Sequence, residues 1–154
     1  MENAKENTGF WYRYPRPAVA VDVVIFRKTA GRLELLLIRR AQEPFQGCWA
    51  LPGGFLDPDE ELDDAARREL AEEAGLTSVP LHRLGVFDRP DRDPRHRTIS
   101  MAYWGILPTA DAMPVAGDDA DSVRWFPADA SPPLAFDHAD IVNRARKTLH
   151  NEGS

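Results

Sequence analysis

The segment from Asp57 to Leu76, DPDEELDDAARRELAEEAGL, has the signals of an amphipathic helix but places acidic residues on its apolar side. The stretch Asp57-Pro58-Asp59-Glu60 is typical of a helix start, because Asp can cap, Pro suits the first helical position and Glu can reach back to the free amides. Gly75 is typical of a helix end. At roughly 100° per residue, Glu69 and Glu73 fall within about 20° of the centre of the apolar stripe.

The inward position of Glu69 and Glu73 requires a positive partner. Their like charges repel at this i,i+4 spacing, and a buried carboxylate is costly without compensation. Arg68 points away from Glu73 on the same helix, and Glu72 is placed to pair with it. A divalent cation removes the conflict, since carboxylate oxygens suit Mg²⁺ or Mn²⁺. The pattern therefore predicts metal-assisted attack of water on a phosphate or pyrophosphate.

The spacing within and before this segment resembles the signature of the Nudix hydrolases. Five residues separate Gly54 from Glu60, and seven more separate Glu60 from the run RELAEEAGL, residues 68–76, so every defined position of the signature is matched. The resemblance implies an α/β fold, a Nudix-type α/β/α sandwich with a mixed sheet between helices. It also implies hydrolysis of a nucleoside diphosphate linked to another group, with Mg²⁺ or Mn²⁺ as cofactor.

The same resemblance implies roles for individual positions. Glu69, Glu72 and Glu73 would bind the metal, and the carbonyl of Gly54 would complete the ligand set. Glu69 is the leading candidate to activate or orient the attacking water. Arg68 would hold the carboxylates in place, so the implied catalytic residues are Glu69, Arg68 and Glu72.

Many Nudix enzymes use a further acid from a later loop, often a glutamate, but no Glu occurs between Glu73 and Glu152. Asp118, Asp119 and Asp121 are the available substitutes. Their segment is rich in Gly and Asp, so a turn without a function is the alternative interpretation. We expect one of the three aspartates to reach the site, with Asp119 as the candidate contact to substrate.

A loop rich in arginine follows the acidic segment and joins two predicted strands. We expect Arg89, Arg92, Arg95 and Arg97 to reach the oxygens of a pyrophosphate, because guanidinium groups suit such oxygens. Aspartates between them allow the alternative of a self-neutralised surface loop.

The arginine loop, together with residues 14–17 and 134–139, is similar to the Nudix branch that contains ADP-ribose pyrophosphatases and the Nudix domains of nicotinamide-metabolism regulators. This resemblance implies cleavage of ADP-ribose to AMP and ribose 5-phosphate. The alternatives are hydrolysis of nucleoside triphosphates or NADH-type dinucleotides, and a non-catalytic domain that senses a nucleotide.

Apolar and β-branched runs predict the rest of the fold. We expect strands at residues 18–27, 33–40, 81–88, 98–107 and 121–126, and a short strand that runs into a glycine-rich loop within residues 46–54. A closing helix should begin after Asp137 as its N-cap. The first two strands are joined too tightly for a crossover, which favours a hairpin within a mixed sheet. Residues 17–150 are thus predicted to form one Nudix domain after an aromatic-rich extension, residues 1–16.

Charge and composition limit the partners of the chain. A formal net charge of −6 disfavours a nucleic-acid binder, because that affinity comes mostly from Lys and Arg. A single cysteine favours a reducing compartment, and no apolar run is long enough for a membrane span, so we expect a cytoplasmic protein with no membrane partner. The aromatic cluster at residues 10–14 could stack on adenine, but packing against a partner subunit in a homodimer is favoured.

Overall fold

The structure is a computed structural model that describes residues 9–108 and 120–153, with the backbone alone at residues 120 and 121. Its elements in chain order are β1 (Ala18–Thr29), β2 (Arg32–Arg40), β3 (Trp49–Ala50), β4 (Gly53–Phe55), α1 (Leu62–Ala74), β5 (His82–Phe87), β6 (Thr98–Ile106), β7 (Ala120–Pro127) and α2 (His138–Glu152). Neither of these helices is long and apolar enough to cross a lipid bilayer.

Within the described residues, the strands form one mixed sheet of seven strands. Strands β3, β2, β1, β6 and β5 lie side by side in that order, while β4 pairs with β1 and β7 pairs with β2. The β1–β6 pair is parallel and the other pairs are antiparallel. The predicted hairpin of the first two strands is present, and its tight turn at Ala30 and Gly31 has φ angles of 51° and 77°.

The central strand β1 supplies side chains to both faces of the sheet. Val21, Val23 and Ile25 belong to the core that also contains buried residues of α1, whereas Val24 and Phe26 belong to the core that contains buried residues of α2. Alternating side chains of a strand point to opposite faces, so both faces of β1 are covered by a helix. The predicted α/β/α sandwich with a mixed sheet between helices is therefore confirmed.

The acidic helix begins later than the sequence predicts. Helix α1 begins at Leu62, whereas the expected start was after Asp57. The amide of Asp57 donates to Oε1 of Glu60 at 2.8 Å, and the amide of Glu60 donates to the carbonyl of Asp57 at 3.3 Å. These two hydrogen bonds close a turn before the helix. Arg68 also binds Glu60 and so holds its side chain in this position. The predicted helix end is confirmed, since Gly75 follows α1 with a left-handed φ of 68°.

Gly53 and Gly54 lie in strand β4, not in the glycine-rich loop that the sequence predicts. Gly53 pairs with Asp22 of β1, and Gly54 pairs with Val21. A Cβ atom at position 53 would lie 2.2 Å from the carbonyl oxygen of Val21. Glycine therefore allows β4 to approach β1 closely at the point where α1 packs on the sheet.

Candidate active site

A cavity of about 340 Å³ lies where β1, β2, β4, α1, the β5–β6 loop and the start of α2 meet. Its charged and polar lining comes from six parts of the chain that are far apart in sequence. The lining includes two glycines, several acids, several bases and two aromatic rings: Gly53, Gly54, Asp22, Glu69, Glu73, Asp93, Arg40, Arg92, Arg95, His138, Phe55 and Phe136.

Glu69 and Glu73 lie on the buried side of α1, as the helical pattern predicts. Their residues are only 8% and 7% exposed. Glu73 accepts a hydrogen bond from the amide of Gly53 at 3.3 Å and is hydrogen-bonded to Glu69. Burial raises the pKa of Glu69, and the hydrogen bonds from Glu73 and Arg68 only partly oppose this effect. Two carboxylates in this contact need a proton or a cation between them.

Arg68 holds the acidic groups around the start and middle of α1. Its guanidinium group lies 2.6 Å from Glu60 Oε1, 2.8 Å from Glu69 Oε1 and 3.2 Å from Glu72 Oε2. It also donates to the carbonyl of Phe55 in β4 at 3.1 Å. Arg68 therefore links α1 to the strand that carries the two glycines, and the exposed Glu72 is its i,i+4 partner.

The residues around Glu69 fit a hard divalent cation, which the Nudix resemblance implies. The cradle is kept open by Gly54, because a Cβ atom there would lie 2.4 Å from Glu69 Oε1. The donors are carboxylate and carbonyl oxygens, which Mg²⁺ and Mn²⁺ prefer. Among the described side chains, residues 9–108 and 122–153, no three of His, Cys, Asp or Glu converge as a metal site. Two of the implied metal ligands, Glu69 and Glu72, are bound by Arg68 in this structure.

The structure separates the four arginines of the predicted substrate loop. Arg92 and Arg95 line the cavity, whereas Arg89 and Arg97 are not among its lining residues. Arg89 is exposed and pairs with Asp140 at 3.5 Å. Arg97 donates to a backbone carbonyl at 2.6 Å. Two of the four arginines are therefore brought to the acidic pair.

Arg40, which lies outside the predicted substrate loop, is placed with Arg95 at the face of one aromatic ring. The guanidinium carbons of Arg40 and Arg95 are 5.0 Å and 5.6 Å from the ring centroid of Phe136. Arg95 forms two hydrogen bonds to Asp93, at 3.0 Å and 2.8 Å. Arg40 forms no ion pair with a carboxylate in the described part of the chain. Burial lowers the pKa of Arg40, and the positive charge of Arg95 lowers it further. Three negative charges oppose this effect, those of Glu73, Asp93 and Asp22.

A buried polar network forms another part of the cavity wall. Asp22 accepts hydrogen bonds from Ser100 Oγ at 2.6 Å and Arg92 Nη2 at 3.2 Å, and its Oδ1 lies 3.2 Å from His138 Nε2. Arg92 also donates twice to Asp137, at 3.0 Å and 2.8 Å. Burial alone would raise the pKa of Asp22, but His138, Ser100 and Arg92 outweigh it and lower the pKa to about 2. Asp22 is therefore held as a buried anion.

The sequence contains a signal for this network in strand β1. Asp22 is the one charged residue within the otherwise apolar run AVAVDVVIF, residues 18–26. A buried carboxylate needs donors around it, so an isolated acid in a core strand indicates polar partners elsewhere in the chain. His138, by contrast, directly follows a predicted N-cap and has no such signal.

The predicted later acid lies outside the described side chains. Asp118 and Asp119 lie outside the described residues, and only the backbone of Asp121 is described. Their role in the site stays a prediction.

Comparisons with known proteins agree with this architecture. Residues 16–145 match the family model of the NUDIX domain. The ADP-ribose pyrophosphatase of Methanocaldococcus jannaschii is 43% identical over 129 residues, which is 84% of this chain and 73% of that protein. The ADPR responsive transcriptional repressor NtrR of Acinetobacter baylyi is 33% identical over 90% of this chain and 57% of its own length. The solved NUDIX domain of Shewanella oneidensis NrtR complexed with ADP ribose has a TM-score of 0.81 and 32% identity, covering 88% of this chain and 90% of that one.

Proposed function

This chain belongs to the NUDIX domain family, and we propose that it cleaves the pyrophosphate bond of ADP-ribose to give AMP and ribose 5-phosphate. The family match and the M. jannaschii relative bear out the predicted class of enzyme, a pyrophosphohydrolase. That relative and the ADP-ribose complex of the NrtR domain support the choice of substrate.

One observation carries the proposal: the buried Glu69–Glu73 pair and the arginines Arg40 and Arg95 line the same cavity. The two arginines repel each other, and an anion between them would relieve that repulsion. A pyrophosphate group supplies such an anion, and its oxygens also suit a divalent ion held by the glutamates. The glutamate pair alone does not require a pyrophosphate, and neither do the two arginines. Together they match a ligand whose negative oxygens can contact both a divalent ion and guanidinium groups.

We propose that Glu69, Glu72, Glu73 and the carbonyl of Gly54 hold Mg²⁺ or Mn²⁺. When bound, such an ion stabilises negative charge on phosphoryl oxygens and lowers the pKa of water. The remaining steps belong to the chain. Glu69 accepts a proton from the attacking water, and Arg68, 2.8 Å from Glu69 Oε1, fixes the orientation of that carboxylate.

The reaction forms one bond and breaks one. The oxygen of water bonds to a phosphorus atom of the pyrophosphate, and the bridging P–O bond to the other phosphorus breaks. The electron pair stays on the departing phosphate, where Arg40 and Arg95 stabilise the new negative charge. One product carries the adenosine and the other carries the ribose.

A second candidate function is the sensing of ADP-ribose without turnover. The identity of 33% to a transcriptional repressor favours it, although the chain spans only 57% of that relative's length. Hydrolysis of nucleoside triphosphates or NADH-type dinucleotides is the alternative within the enzyme class.

A substrate panel tests the proposal. Purified protein is incubated with Mg²⁺ or Mn²⁺ and with ADP-ribose, NADH, and a set of nucleoside triphosphates, and the products are separated by chromatography. We expect AMP and ribose 5-phosphate from ADP-ribose at the highest kcat/KM of the panel. Efficient turnover of another nucleotide with none of ADP-ribose would contradict the substrate. Calorimetric binding of ADP-ribose with no turnover in either metal would favour the sensing function.

A further inference from the structure

Arg92 differs from the other cavity arginines because its charge is more than neutralised. Nε and Nη2 of Arg92 bind both oxygens of Asp137, and Nη2 also binds Asp22. Two carboxylates thus surround one guanidinium group, and the side chain of Arg92 is only 4% exposed. The potential at this wall of the cavity is therefore not positive, and a phosphate anion placed there would face two fixed negative charges.

One end of this guanidinium group stays available. No hydrogen bond joins Nη1 of Arg92 to any side chain or backbone atom in the ranges 9–108 and 122–153, although Arg92 lines the cavity. Nη1 is not among the buried side-chain atoms without a partner in the described residues, so it is open to the cavity. A ligand atom in the cavity can therefore accept a hydrogen bond from Nη1 in place of water.

An acceptor lies in the same network. That acceptor is Asp22, which is bound by His138. The amide of Leu51 fixes the tautomer of His138, because it donates to Nδ1 at 3.0 Å. The ring proton is therefore on Nε2, which donates to Asp22 Oδ1 at 3.2 Å. Ser100 and Arg92 bind the other oxygen, Oδ2. Because each carboxylate oxygen can accept about two hydrogen bonds, Oδ1 of Asp22 retains accepting capacity.

Stability alone does not account for such a network. Buried ion pairs are often no more stabilising than apolar residues of similar size, because charges lose their hydration. This network nevertheless joins β1, β6, the β5–β6 loop and α2 inside the molecule. Its presence on the wall of the candidate active site calls for a role in binding.

We propose that Asp22 and Arg92 form a subsite for a ribose hydroxyl group, separate from the Arg40 and Arg95 contacts to the pyrophosphate. A hydroxyl group can accept from Arg92 Nη1 and donate to Asp22 Oδ1, whereas a phosphate oxygen can only accept. Asp137 and His138 act as positioning residues, since they orient Arg92 and Asp22. This inference rests on the proposed function for the identity of the ligand. The hydroxyl belongs to either of the two riboses of ADP-ribose, and the experiment distinguishes them.

The test uses calorimetric titration of the full chain in EDTA, so that no hydrolysis occurs during binding. The ligands are ADP-ribose, the β-methyl ester of ADP, which lacks the terminal ribose, and the analogue of ADP-ribose with 2′,3′-dideoxyadenosine. A hydrogen bond to a charged group is worth enough to weaken binding about tenfold when it is lost. We expect at least one analogue to bind about tenfold more weakly than ADP-ribose, and that analogue identifies the ribose.

Arg92→Lys is the decisive variant, because lysine keeps a positive charge near Asp22 and Asp137 but cannot supply the Nη1 donor. We expect this variant to bind ADP-ribose and the weaker analogue with nearly equal affinity. Ser100→Ala is the matched control, since Ser100 binds Asp22 from outside the cavity lining. It should lower the melting temperature and keep the tenfold preference. If Arg92→Lys does not fold, Asp137→Asn replaces it, because Asp137 orients Arg92 without lining the cavity.

Three results would overturn the subsite: equal binding of all three ligands by the wild-type chain, no binding of ADP-ribose, or an unchanged preference in a folded Arg92→Lys or Asp137→Asn variant. Turnover with Mg²⁺ or Mn²⁺ is measured separately. Selective binding without turnover would refute the proposed hydrolase and leave the subsite intact. Turnover without selectivity for the hydroxyl would refute the subsite alone.

Discussion

Gly54 lies so close to Glu69 that a Cβ atom at position 54 would be 2.4 Å from Glu69 Oε1. Gly53, the neighbouring residue, would instead place its Cβ atom 2.2 Å from a backbone carbonyl oxygen. The two glycines of β4 therefore have different roles. Gly54 leaves room beside a carboxylate of the candidate site, whereas Gly53 permits the pairing of two strands.

Alanine at each glycine should separate these roles. Gly54→Ala should retain most of its stability, because a carboxylate can rotate away, but should lose metal-dependent activity. Gly53→Ala should lower the free energy of unfolding by about 1–3 kcal/mol, because a backbone must shift. Thermal unfolding and turnover with Mg²⁺ measure both effects. Normal activity in Gly54→Ala would show that the space beside Glu69 has no function.

Divalent metal should stabilise the chain through Glu69 and Glu73. A ligand at about 100 times its Kd stabilises the folded state by about 2.7 kcal/mol, which corresponds to a rise in Tm of about 5–10 °C for a domain of this size. We expect that rise with MgCl₂ or MnCl₂ in wild-type protein. The Glu69→Gln, Glu73→Gln double variant should show almost none, and the same rise in that variant would place the metal elsewhere.

Arg40 should contribute to substrate binding although it lies outside the arginine loop. Arg40→Gln removes a cation from the cavity, and loss of a charge-assisted contact should lower kcat/KM for ADP-ribose about 10- to 100-fold. Arg89→Gln is the matched control, because Arg89 is exposed and lies outside the cavity lining. Equal kinetics for these two variants would remove Arg40 from the proposed site.

Asp22 should make the chain less stable in acid. Its pKa is about 2 in the folded protein, compared with an ordinary value of 3.8, so the unfolded chain binds more protons between these values. The stabilising contribution is complete above about pH 4 and is lost as the pH falls towards 2. It amounts to less than about 2 kcal/mol, because neutral His138 supplies a hydrogen bond to Asp22 and no charge.

Urea unfolding of wild-type protein and Asp22→Asn at several pH values below 5 measures this contribution. Asparagine cannot titrate, so the free energy of unfolding should fall less steeply with decreasing pH in the variant. Parallel curves for the two proteins would contradict the assignment to Asp22. The comparison depends on slopes, because loss of a buried charge also lowers stability at every pH.

Local patterns predicted much of the fold and the acidic side of the candidate site, which α1 supplies. Helical periodicity placed Glu69 and Glu73 inward, and their burial agrees with it. The i,i+4 spacing predicted the contact of Arg68 with Glu72, which is 3.2 Å in the structure. These features depend on neighbours in the sequence, so periodicity and spacing are sufficient to predict them.

Long-range contacts were not predictable in this way. Asp22 and His138 meet only because β1 packs beside the start of α2, and the sequence gives no pairing rule for these elements. Arg40 reaches Phe136 for the same reason. The start of α1 was misplaced because Glu60 binds Arg68 and the amide of Asp57, so the capping pattern closes a turn before the helix.

The central claim is that Glu69 and Glu73 are metal-binding groups and not structural ones, and paired measurements of Tm and turnover at saturating metal test it most directly. In Glu69→Gln and Glu73→Gln, the Tm without metal should be retained or rise, because an amide next to the remaining carboxylate removes the need for a proton or cation between the two side chains. Turnover should fall about 100-fold or more, since loss of an electrostatic or acid–base contributor typically has that effect. Glu61→Gln, at an exposed position before α1, should change neither quantity. Near-normal turnover in both variants, or a loss of activity that only follows a falling Tm, would contradict the claim.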